Sequence, residues 1–178
     1  MPNGIFVAEN MASTKLSSLL KTARYVAGNP LVPTAIQNGR VVVLGALEAN
    51  QREVHVAADV AAATDPIHVV DNPEVIYSEE ITRGLNDYIN PAGITIRVRQ
   101  LQVGDQFAVS GNAITALGLV PVVGNFIVTP AAGNLWTEIA APVGNESVAC
   151  QIVDSYVLGA DMLGGRNITM YGVKVITA

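Results

Sequence analysis

The chain has 178 residues, half of them apolar and only 14% charged, with a formal net charge of −5. That length lets one domain bury a core without disulfides or a structural metal, and the lone cysteine, Cys150, excludes an intrachain disulfide. No apolar run approaches the ~20 residues that a membrane-spanning helix needs, so no membrane association is expected. Residues 1–47 carry Lys15, Lys21, Arg24 and Arg40 against Glu9, whereas the remainder holds fourteen acids and six bases. An acidic body argues against nucleic-acid binding, which requires a clustered basic face. So few charges leave much apolar surface to cover and point to contacts with other subunits.

The first nine residues lack the basic-then-apolar pattern of a secretory leader, so folding in a reducing cytoplasm is expected. Leu16, Leu19, Leu20, Ala23 and Ala27 recur at helical spacing and predict an amphipathic helix over 13–27. Ser13 or Thr14 would cap it, and Gly28 followed by Pro30 would stop it. A helix that short must dock its leucines, on the chain's own core or on a neighbouring subunit. Residues 28–39 read as an extended connector, with Pro30, Pro33 and the closing Asn38-Gly39. The expected division is therefore an N-terminal arm, 1–39, and a β-rich body, 40–178.

Within the body, 40–44, the stretch around Val54 and Val56, and 67–70 read as strands. A brief helix is expected at 79–83 and a turn at 90–93. Further strands are predicted at 94–101, 105–109, 119–123, 125–129, 134–140, 148–158 and 168–176. Recurrent Gly-Asn and Gly-Asp pairs between them supply residues that accept positive φ at tight turns. Pro121 restricts 119–123 to a sheet edge or a bulge. The fold class is mainly β: a small β-barrel or β-sandwich with an N-terminal helix and an extended arm.

Catalytic patterns are weak. His55 and His68 lie in or beside strands near Asp59, Asp65 and Asp71, short of a convergent ligand set for a metal. Cys150 sits in an alternating strand and reads as a buried structural thiol, and no Gly-x-Ser-x-Gly elbow is present. Arg97 and Arg99 share one strand face, placed to pair with acids or to hold an anion. Glu79-Glu80 point in different directions, and Gly164-Gly165-Arg166 lacks the context of a phosphate loop. No enzyme activity, cofactor or metal is expected.

Three stretches carry a family resemblance. The first is Asn72-Pro73-Glu74-Val75-Ile76-Tyr77, leading through Asn86-Asp87-Tyr88-Ile89 to Asn90-Pro91-Ala92-Gly93. The second is Arg97-Val98-Arg99 followed by Leu101-Gln102-Val103-Gly104-Asp105-Gln106-Phe107. The third runs from Ala149 to Gly159 and ends in Tyr171-Gly172-Val173-Lys174-Val175-Ile176. In order and spacing, over about residues 40–176, the chain resembles the head decoration, or cementing, proteins of tailed bacteriophages. The resemblance implies a non-enzymatic virion protein on the outer capsid surface, made in the bacterial host cytoplasm. Its partners would be the major capsid protein and neighbouring copies of itself. In that setting Lys15, Lys21 and Arg24 would meet acidic capsid surface, and Leu16, Leu19 and Leu20 would fill an apolar groove. A tail or baseplate β-domain with an adhesion role is the alternative, separated by copy number per particle. A small hydrolase using Cys150 with His55 or His68, and a free-standing ligand-binding barrel, are rivals from other classes.

Overall fold

The computed structural model describes residues 4–28, 32–73, 88–158 and 167–178. The expected helix at 79–83, Glu79-Glu80, Gly164-Gly165-Arg166 and part of the first family stretch lie outside these residues. The fold is mainly β, two sheets in a sandwich-like arrangement rather than a clean barrel.

One sheet contains β1 (Phe6–Asn10), β8 (Gln106–Ser110), β13 (Ile168–Thr177), β12 (Ala149–Leu158), β10 (Phe126–Val128), β11 (Trp136–Ile139) and β9 (Ile114–Thr115), in that order. The other runs β3 (Val32–Pro33), β2 (Leu20–Ala27), β5 (Val54–Ala58), β4 (Val41–Leu47), β6 (Ile67–Val70), β7 (Thr95–Gln100). In addition β2 pairs with β7, from Leu20↔Arg99 to Arg24↔Thr95. Five strands of the second sheet thereby close into a small ring.

Alternation along the strands sorts side chains into separate cores. Ala23, Tyr25, Val42, Ala57, Val70, Ile96 and Val98 form a cluster inside the ring. Their neighbours of opposite parity, Val41, Ile67 and Val69, join Phe107, Trp136, Cys150, Ile152, Tyr171 and Val173 between the sheets. Phe107 stands between Phe6 and Trp136, with ring centroids 5.3 and 6.2 Å away. The indole N–H of Trp136 donates to the Gly39 carbonyl at 3.1 Å, so this core carries no orphaned polar group at its largest residue.

The helix expected over 13–27 is not formed. Helix α1 spans only Ala12–Lys15, a 3₁₀ turn follows at Ser17–Leu19, and Leu20–Ala27 is β2. Thr22, Tyr25 and Val26 favour an extended backbone. Both edges of β2 are paired, with β5 in parallel and β7 antiparallel, which outweighs the leucine spacing. Strand pairing also crosses the expected boundary at 39/40: β1 joins β8, and β2 lies between β5 and β7. The connector contributes β3 and a bridge from Ile36 to Asn90. Most body strands fall where expected, but 119–123 is irregular loop.

Candidate interaction surface

Residues 116–124 contain no charged side chain and form an exposed loop between β9 and β10. Leu119 is fully exposed, at 102% of its reference area, and Leu117, Val120, Val122 and Val123 are exposed as well. A loop this apolar would ordinarily collapse onto the body. Here its backbone is held from below by Glu138.

Glu138 shares a face of β11 with Trp136 and is only 2% exposed. Its carboxylate accepts from the Leu117 N–H and the Val122 N–H, both at 2.8 Å, and from Asn125 Nδ2 at 2.7 Å. Burial alone would raise the Glu138 pKa. The three hydrogen bonds outweigh that effect and hold it below the usual carboxylate range. The loop returns to the sheet through Gly124, whose φ of 98° suits glycine and whose N–H donates to the Ile152 carbonyl at 2.9 Å. Next in line is Val153 of β12, exposed like Tyr156 and Val157 farther along that strand. From Asp154 onward β12 pairs only with β13, and exposed Asp154 ends the uncharged surface beyond Val153. On its other flank the loop borders a groove of about 480 Å³, with Asn112, Ile168, Thr169 and Tyr171 on the far wall. A rigid, uncharged, apolar ridge of this kind is a protein-contacting surface in physical character.

The six residues expected to bind a partner do not form one face. Lys15, Leu16 and Lys21 are exposed, and Leu19 and Leu20 are half-buried. Strand alternation turns Leu20 and Arg24 to one side of β2 and Lys21 to the other. Arg24 is half-buried and ion-paired with Glu48. The ridge was foreshadowed in the sequence by an uncharged apolar run between Ala116 and Gly124. Its support was foreshadowed by a glutamate two residues from a buried tryptophan.

Among the remaining candidate groups, Arg97, Arg99 and His55 have partners within the fold. Arg97 Nη2 lies 2.9 Å from Asp71 Oδ2, and the same oxygen pairs with Arg99 Nε. Arg99 Nη1 also donates to Ser13 Oγ at 3.0 Å, tying α1 to the ring. Cys150 is fully buried between the sheets, where burial pushes its thiol pKa up, and it makes no hydrogen bond to either histidine. His55 Nδ1 is 3.1 Å from the Gly45 carbonyl. His68 faces the ring interior, on the same side of β6 as Val70, and its buried Nδ1 has no partner. Burial, then the positive charges of Lys21 and His55, lower the His68 pKa to about 4. Among the described residues no three His, Cys, Asp or Glu side chains are grouped to hold a metal ion. No family model, curated protein or solved structure matches the chain.

Proposed function

We propose that the chain is a structural virion protein that binds the outer surface of a phage capsid and stabilises contacts between major capsid protein subunits. The observation that carries this reading is the Glu138-supported ridge: five exposed leucines and valines without a charge among them. Burying Leu119 and its neighbours in a partner's groove would contribute about 1.5–3 kcal/mol per side chain. Repetition over a lattice makes even a modest contact hold firmly. The sandwich gives a stiff support, and the three sequence stretches described above resemble decoration proteins. Lys15, Leu16 and Lys21, exposed elsewhere on the body, are available for a second contact.

The test mixes the protein with purified capsid shells and measures bound copies by sedimentation and electron microscopy. The wild type should coat the shells in many copies. The double variant Leu119→Asp, Val120→Asp should bind about tenfold less or worse, as expected from losing more than 1.4 kcal/mol. Equal binding by the variant, no binding by the wild type, or a few copies confined to the tail would each overturn the proposal. Deleting residues 1–27 is uninformative, because β2 is an inner strand of the ring.

A further inference from the structure

We infer that Arg40 is a receptor for a single carboxylate, presented as an Asp or Glu side chain by a protein partner. Four arginines among the described residues are at least partly buried: Arg24, Arg40, Arg97 and Arg99. Three meet a carboxylate of this chain, Arg24 through Glu48 and the other two through Asp71. Arg40 meets none. Its Nη2 donates to the neutral Oε1 of Gln37 at 2.8 Å. A guanidinium drawn out of water without a counter-ion is unfavourable, and an incoming anion would relieve that cost.

The group is held in place from several sides. Arg40 immediately precedes β4. Its carbonyl accepts the Val70 N–H at 2.9 Å, and the next N–H, of Val41, donates to the Asn134 carbonyl at 3.0 Å. Gln37 Oε1 is fixed by a second donor, the Gly4 N–H, at 3.0 Å. Together Ala35, Ile36, Gln37, Arg40, Ile89 and Asn134 line a groove of about 170 Å³, room for a short acidic side chain and too small for a nucleotide. Arg40 is the one charged residue of this lining, and Asn134 Nδ2 is committed to Tyr25 Oη at 3.0 Å and Asp59 Oδ1 at 2.9 Å. Asp59 forms no ion pair with it. One guanidinium matches one carboxylate in charge and in planar two-point geometry, whereas a phosphate dianion would leave charge unmatched. Exposed Ile89 adds an apolar rim for the stem of the incoming residue.

An NMR titration of the full chain tests this directly. The ligand is N-acetyl-aspartate N-methylamide, and the controls at equal ionic strength are the asparagine analogue and inorganic phosphate. Saturable shifts at Gln37, Arg40 and Ile89 are expected with the aspartate compound alone. They should vanish in Arg40→Gln and weaken by about tenfold in Arg40→Lys, which keeps the charge but loses the fork. Arg40→Lys carries the comparison should Arg40→Gln fail to fold. Equal response to the asparagine analogue, tighter binding of phosphate than of aspartate, no response at all, or an unchanged response in Arg40→Lys would overturn the assignment. No shell enters this titration, so its outcome is independent of the capsid-binding proposal.

Discussion

Asp71 and Glu138 are both buried acids, yet they stabilise opposite kinds of structure. Asp71 sits just after β6 and neutralises two arginines of β7, one of which reaches Ser13 of α1. Its negative charge closes a seam inside the body. Among the described residues Glu138 meets no cation. Its partners are backbone N–H groups and an amide, and what they hold is a loop that projects apolar side chains into solvent. A carboxylate paired with guanidinium groups locks elements together. One bonded to neutral donors can shape a surface without adding charge to it. That difference explains how an uncharged ridge stays presented.

The comparison can be broken most forcefully at Asp71. Asp71→Asn leaves Arg99 buried without its counter-charge and should cost about 3–5 kcal/mol in urea unfolding. A loss below about 1 kcal/mol would show that the seam is not locked by charge. Acid separates the same two regions. The folded-state pKa of His68, about 4, lies below its ordinary value of 6.5, so the unfolded chain takes up that proton first as the pH falls. Stability from this group is complete above pH 6.5 and declines towards pH 4, by up to about 3 kcal/mol, and His68→Gln should flatten that window. For Glu138 the shift is also downward, but on an acid. Its depressed pKa means its contribution is present above the ordinary carboxylate range and fades only as the pH drops through the folded value. Replacing it, Glu138→Gln, should cost about 1–3 kcal/mol and speed hydrogen exchange at Leu117 and Val122. Unchanged exchange at both amides would remove Glu138 from its supporting role. Smallest in stability is Leu119→Asp, within about 0.5 kcal/mol of wild type by thermal unfolding. A large loss there would mean that the ridge packs on the body after all.

Local pattern was enough for most of the β framework. Val41-Val42-Val43, Ile67-His68-Val69-Val70 and Thr95-Ile96-Arg97-Val98 are short runs whose β-branched residues and alternation have one economical outcome, and their strands lie there. The N-terminal segment misled because Leu16, Leu19, Leu20 and Ala23 satisfy a helical period while Ala23 and Tyr25, both buried, satisfy a strand period. Which period prevails depends on β5 and β7, strands distant in sequence that supply partners on both edges. Similarly, Leu119-Val120-Pro121-Val122-Val123 has the composition of a strand. Glu138, brought beneath it by the sheet, takes the Val122 N–H that a ladder would have used. The Asp71–Arg97–Arg99 cluster was half visible, as two arginines on one strand face awaiting an acid. That Arg40 meets no carboxylate among the described residues was not visible at all, since it follows from where the fold places Glu48, Asp59 and Asp71.

The pairing of β2 with β7 has a consequence for how the chain is made. A ribosome releases β2 early, and Leu20 then waits for Arg99 to emerge before its outer edge is covered. At ordinary elongation rates that interval is on the order of several seconds. Throughout it the nascent segment presents an unpaired edge and a half-assembled greasy interior, the two features that recruit chaperones or seed misassembly. Expression yield should therefore respond to translation speed between these two strands, a sensitivity written into the topology rather than into any single side chain.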